Sequence, residues 1–231
     1  MPDSSEEFER ATEAALSRSE LSSLPPSALK QLLADAIRTE VPPGRVLYRA
    51  GDEPMPGLVV SGLLRIFVTA IGGRQITVAY AGSGDLIGVG KVVDGPSQVS
   101  VQAVLDARLV RFHPAAFESV ANEQPELALG IARQLRARER RLLVEIRSTA
   151  FGTVRQRVSR HLLDLAAERQ RGARLVARVT QQQLAEAVGS VREVVARVLA
   201  ELQKEGAIDR TRSGIVILDP ERLRSEGWLD E

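Results

Sequence analysis

The sequence predicts an α+β chain: a β-rich N-terminal half, one long helix, then shorter helices closed by a β-hairpin. Three observations carry this. Between Val41 and Phe112, β-branched runs such as LVVSGLLRIFVTA and SQVSVQAV are broken at short intervals by Gly or Pro-Gly. Such regular turn signals mark an antiparallel barrel or roll. PELALGIARQLRARERRLLVEIRSTA, Pro125–Ala150, has one internal glycine and no internal proline, so it reads as a single helix of roughly 39 Å at 1.5 Å per residue. The stretch VTQQQLAEAVGSVREVVARVLAELQKEGAIDRTRSGIVILD reads as a capped helix, a glycine turn, a second helix and a hairpin with Ser213-Gly214 at its tip. That order is a winged helix-turn-helix.

The elements follow in order. Residues 1–20 hold six acids against two arginines, which predicts a frayed helix or an acidic tail. Residues 21–121 form the roll, opened by an amphipathic helix near Pro25-Pro26, where proline is tolerated. Gly72-Gly73 is placed as a two-residue hairpin turn between IFVTA and RQITVAY. Residues 122–150 are the long helix and residues 151–231 the winged helix-turn-helix. On the long helix Ala128, Ala132, Leu135, Glu139, Leu142, Ile146 and Thr149 recur at alternating 4/3 spacing, a coiled-coil-like seam. A helix this long cannot bury itself on one small domain, so the seam predicts a homodimer. Glu139 interrupts it: the arginine run around it reads either as a solvated helix face with Arg/Glu pairs or as the place where Glu139 pairs with an arginine of the second copy.

Composition excludes several chemistries. The chain has 231 residues, 31 Lys+Arg against 30 Asp+Glu, no cysteine and two histidines. Disulfides, cysteine-zinc sites and thiolate-ligated iron–sulfur clusters are therefore out. His113, before Pro114, reads as a structural boundary residue, and His161 as a packing or surface residue. Neither a metal nor a cofactor is expected. No apolar run approaches a membrane span and the N-terminus is acidic, so the expected location is the cytoplasm, away from a membrane. No nucleophile–base or paired-carboxylate arrangement stands out, so no enzymatic activity is expected.

The chemistry-bearing residues concentrate in the last third. Leu184 and Ala185 face inward, Gly189 permits the turn, and Val195, Val198 and Leu199 anchor the second helix. That leaves Arg192, Glu193 and Arg197 outside. Arginine can bond guanine O6 and N7, and glutamate accepts from cytosine N4. At the start of a second helix these residues suit a major groove. Double-stranded DNA is the expected partner.

GDLIGV, VQAVLDARLVRFHPAAFESV, the long helix and VTQQQLAEAVGSVREVVARVLAELQKEGAI together resemble the cyclic-AMP receptor/fumarate-nitrate regulator (CRP/FNR) transcription factors, over Leu21–Leu218. The resemblance implies a homodimer, a cyclic-nucleotide-binding-like roll that senses an effector, a palindromic site that is bent on binding, and RNA polymerase as a further partner. It assigns base reading to Arg192, Glu193 and Arg197, with a half-site like GTGA, and phosphate contact to Thr180 and Gln182. Val191 and Val194 stand where relatives carry phosphate-touching hydroxyls. Valine cannot donate, but it can pack on a thymine methyl.

The resemblance also locates the effector pocket at Gly88, Val89, Ser97, Gln98, Leu142 and Leu143. There the sequence departs from nucleotide binding. Val89 replaces the glutamate that accepts from the ribose, Ser97-Gln98 replaces an arginine-hydroxyl pair on the cyclic phosphate, and Leu142-Leu143 replaces the adenine-facing hydroxyl pair. Two lost bonds to charged groups, each worth roughly 1.5–3 kcal/mol, weaken binding by roughly 10²- to 10⁴-fold. The pocket is expected to be degenerate for cyclic AMP. Lys91, Ser97, Gln98 and Ser100 are the polar residues left nearby, and the identity of any other effector stays open.

Overall fold

The computed structural model describes residues 4–90, 95–167, 175–211 and 214–227. The chain divides into two compact units, Met1–Ile66 with Ala81–Glu139, and Phe67–Tyr80 with Arg140–Glu231.

In the first unit, helices α1 (Ser4–Leu16) and α2 (Pro26–Ala34) precede strands β1 (Ile37–Val41), β2 (Val46–Tyr48) and β3 (Gly57–Ser61). Strands β4 (Leu64–Thr69) and β5 (Gln75–Ala81) form the hairpin on which the unit boundary falls. β6 (Leu86–Ile87), β7 (Ser100–Ala103), β8 (Ala107–Arg111) and helix α3 (Pro114–Glu123) follow. The strands make two four-stranded sheets, ordered β1-β8-β3-β6 and β2-β7-β4-β5, as expected of a roll. β3 is buried from Gly57 to Val60. Its alternate residues Leu58 and Val60 join Leu21, Leu32, Phe112, Phe117 and Leu127 in one core, because helices cover that face of the sheet.

The segment predicted as a frayed helix or an acidic tail holds helix α1, packed into this core through Phe8 and Ala15 rather than frayed. The acids hid a helical period in FERATEAAL. Arg38 lies over the Phe8 ring, 4.8 Å from its centre, and pairs with Glu9 at 3.0 Å. The hairpin turn also differs from expectation. Ala70 donates to the Arg74 carbonyl and Gly73 to the Ala70 carbonyl, both at 2.8 Å. The loop is therefore three residues long, with Gly73 at φ 78°. A type I turn closed by a left-handed glycine is the usual way to make it.

The long helix α4 runs Pro125–Phe151, one residue beyond the predicted end, and crosses the unit boundary at Glu139/Arg140. Leu127 and Ile131 belong to the core of the first unit. Glu145 and Ser148 are buried in the second. The helix thus shares its length between two cores, which is why boundaries drawn at its ends in the sequence do not coincide with the compact units.

The second unit continues with α5 (Val154–Ala167), β9 (Leu175–Ala177), α6 (Gln181–Ala187), α7 (Arg192–Lys204), β10 (Ile208–Thr211) and β11 (Gly214–Ile217). The predicted hairpin gains β9 as a third strand, in the order β10-β11-β9. Of its predicted tip, Ser213 lies outside the described residues. A last helix α8 (Pro220–Gly227) follows, with Leu223 fully buried. Its signal was present: Asp219 Oδ1 caps the Arg222 N–H at 3.0 Å, and Pro220 opens the helix.

Candidate nucleic-acid interface and effector site

The start of α6 is fixed by a reciprocal cap. The Thr180 hydroxyl accepts from the Gln183 N–H at 3.1 Å, and Gln183 Oε1 accepts from the Thr180 N–H at 2.9 Å. A hydroxyl carries one proton and two lone pairs, so Thr180 keeps its O–H for another acceptor. Gln182 is exposed, and its Nε2 donates to Glu186 at 3.0 Å. Gly189, at φ 63°, makes the turn, while Ser190 donates back to the Ala185 carbonyl at 2.9 Å. Val195, Val198, Leu199 and Leu202 bury one side of α7. Arg192, Glu193 and Arg197 are all exposed on its N-terminal half. Glu193 lies in the first turn, where the helix dipole favours an acid. One acid between two arginines thus faces outward from a rigidly held helix start.

The predicted pocket residues stand in different local surroundings. Gly88 is essential to the backbone: at φ 67°, a Cβ there would lie 2.4 Å from the Met55 carbonyl oxygen. Val89, 2% exposed, is packed in the core with Leu58, Val60 and Phe112. Ser97 folds its hydroxyl onto its own turn, donating to the Val99 carbonyl at 2.8 Å. Gln98 is exposed. The buried Ser100 hydroxyl accepts from the Ala50 N–H at 3.1 Å. Leu142 and Leu143 are exposed and belong to the other compact unit. Lys91 lies outside the described residues.

Other polar groups of the roll are buried, some of them beside Leu86 and Gly88. The Tyr48 hydroxyl accepts a backbone hydrogen bond from Gly88; burial raises its pKa, opposed by the nearby Arg138 charge and by that bond. Gln134 Nε2 donates to the Leu86 carbonyl at 2.7 Å, and Arg138 donates to the same oxygen. Gln134 Oε1 is buried without a hydrogen-bond partner among the described residues. Arg65, only 6% exposed, donates through Nε to Gln102 at 2.7 Å. None of these was singled out from the sequence. They lie on separate strands and a helix, and no local spacing joins them.

On α4 the seam residues Leu135, Leu142 and Ile146 are 38%, 41% and 54% exposed. Glu139 pairs within its own helix, with Arg136 at 2.8 Å. Further along, a buried polar network joins α4 to α5. Arg160 pairs with Glu145 and donates to the Val144 carbonyl at 3.2 Å. His161, 2% exposed, has Nε2 3.8 Å from Glu145 and Nδ1 3.4 Å from the Tyr80 hydroxyl. Burial, then Arg160 and Arg157, push its pKa down to about 3. His161 is therefore a neutral packing residue. Burial raises Asp164 against the pull of Arg160 and Arg141. His113 caps α3 ahead of Pro114, the boundary role expected of it.

Among the described residues, no helix is long and apolar enough to cross a membrane, and no cluster of metal-binding side chains is present. A roll, a long helix and a winged helix-turn-helix with an exposed second helix together define a DNA-binding transcription regulator. Residues 38–124 match the cyclic nucleotide-binding domain and residues 156–226 the Crp-like helix-turn-helix domain. The chain is 30% identical over 207 residues to the CRP-like cAMP-activated global transcriptional regulator of Mycobacterium tuberculosis, covering 86% of this chain and 91% of that one. It is 30% identical over 187 residues to the cyclic AMP receptor protein of Thermus thermophilus, covering 80% and 85%. It superposes with TM-score 0.70 and 25% identity on the c-di-GMP-responsive global regulator CLP of Xanthomonas campestris, covering 84% and 99%. The chain belongs to the CRP/FNR family of transcription regulators.

Proposed function

We propose that this regulator acts as a cytoplasmic homodimer that reads a palindromic DNA site without cyclic AMP bound in the family's usual way. The observation that carries the DNA reading is the exposed set Arg192, Glu193 and Arg197 on the first half of α7, behind a capped helix and a glycine turn. In this reading residues 122–150 supply the dimer helix, through Leu135, Glu139, Leu142 and Ile146. They join a sensor roll at 21–121 to a DNA-binding domain at 151–231. Each α7 enters one major groove, and the two-fold axis sets half-sites one turn apart, about 34–36 Å. Thr180, through its remaining O–H, and Gln182 anchor phosphates, which position the helix without reading sequence. RNA polymerase is the further partner.

The mycobacterial and Thermus relatives are named for cyclic AMP. Three features argue against carrying that ligand over. Val89 is spent in the core, Ser97-Gln98 offers no cation, and the Ser97 hydroxyl is turned back onto the Val99 carbonyl. Arg192→Ala is expected to cost about 1–3 kcal/mol per half-site and to relax sequence preference. Gel shifts on specific and random DNA check this, and equal loss on both contradicts the assignment. A second reading, another nucleotide or small effector in the roll, is favoured by the unpartnered Gln134 Oε1 beside Arg138 and Tyr48. Calorimetry against a nucleotide panel separates the two: micromolar binding of one nucleotide selects the second, and binding of cyclic AMP itself overturns the first.

A further inference from the structure

Val191 occupies the N-cap of α7 and makes no side-chain capping bond. That place favours Ser, Thr, Asp or Asn, whose oxygen accepts from the first-turn N–H groups. Instead a β-branched apolar side chain stands 59% exposed. Val194 lies three positions on and is half-buried. The helix does not need either residue for its core, which Val195, Val198, Leu199 and Leu202 supply. On a helix, residues three apart are neighbours, so Val191, Val194 and Arg197 form one row. An apolar row, exposed at Val191 and half-buried at Val194, thus continues directly into an exposed arginine, on the helix whose other outward residues include Arg192 and Glu193.

In the major groove each base pair shows a distinct pattern, and the C5-methyl of thymine is its one apolar mark. Two valines in line with a guanine-reading arginine match that mark and match nothing on a phosphate, to which they cannot donate. We infer that Val191 and Val194 are specificity residues that read thymine methyl groups beside the G·C pairs contacted by Arg192 and Arg197. The inference rests on α7 as the base-reading helix. It adds that the half-site is defined by thymines as well as by guanines, and that two backbone anchors are exchanged for apolar base contacts.

The test replaces one group on the DNA and leaves the protein intact. Each thymine of the best site selected from a random pool is changed in turn to deoxyuridine, which removes the methyl and keeps the base pairing. Fluorescence anisotropy with the wild-type protein is expected to show about a fourfold loss at one or two thymines per half-site. That is the loss of roughly 0.8 kcal/mol for one buried methyl-sized group, at about 1.4 kcal/mol per decade. The same duplexes with the Val191→Ser, Val194→Ser double variant, which lacks both γ-methyl sets, are expected to stay within about twofold of the thymine parent. Silent deoxyuridine substitutions, or equal losses in protein and variant, overturn the inference while leaving α7 as the reading helix. Failure to select any site overturns both.

Discussion

The exposure of Arg192, Glu193 and Arg197 was legible because it is set locally: one turn, one cap and one helix face put them outside. Val89 was legible only in part. The sequence places a valine after Gly88, but not its burial at 2% among residues from α1 to α4. Tyr48, Gln134 and Arg138 were invisible, because they meet at Leu86 and Gly88 only through the fold. His161 shows what burial does to one residue. Its folded pKa is held at about 3, below the unfolded value of about 6.5. Between those values the unfolded chain binds the proton and the folded chain does not, so stability falls as pH drops below about 6.5, by up to about 1.4 kcal/mol per pH unit. Asp164, raised by burial, slopes the other way. The difference between wild type and His161→Gln isolates the histidine. Urea midpoints measured from pH 7.5 to pH 4.5 should fall more steeply for wild type, and parallel curves would contradict this.

Among the elements, α4 is the one whose extent was read most nearly, ending one residue past the prediction. Its uninterrupted composition left little else to form. Helix α1 was legible only as a frayed helix or a tail, because acids masked Phe8 and Ala15, and α8 was not legible, because it follows the wing as a short polar run. The Gly72-Gly73 turn was found, but with one residue too few in its loop. The joint between α4 and α5 was not legible at all. It depends on Glu145 and Arg160, both under 10% exposed in their side chains and fifteen residues apart. Removing one partner of a buried pair leaves an uncompensated charge, costing about 3–5 kcal/mol, whereas replacing both by apolar groups is often neutral. Arg160→Ala should therefore lose several kcal/mol in chemical denaturation. The Glu145→Leu, Arg160→Met double variant should regain most of it. A double variant as unstable as the single would show that the pair matters through hydrogen bonds to neighbours instead.

For the whole molecule, the order of parts was readable from texture: β-branched runs, an uninterrupted helix, then helix, turn, helix and wing. The division into compact units was not, because α4 contributes to two cores and the β4–β5 hairpin falls on the boundary. The exposed apolar row Leu135, Leu142 and Ile146 belongs to the dimeric assembly in the proposed account. Leu142→Glu with Ile146→Glu should shift the protein to monomer in sedimentation velocity, with its helical circular dichroism retained. A dimer that survives both charges would place the interface elsewhere. The central claim is that two copies of α7 read an inverted repeat with no cyclic nucleotide needed. Selection of bound DNA from a random pool, by protein purified free of nucleotide, tests it most directly. The account predicts a symmetric site with G·C-containing half-sites about 10–10.5 base pairs apart, the same with and without added cyclic AMP. Enrichment of a site only when cyclic AMP is present, or of no symmetric site under either condition, would contradict it.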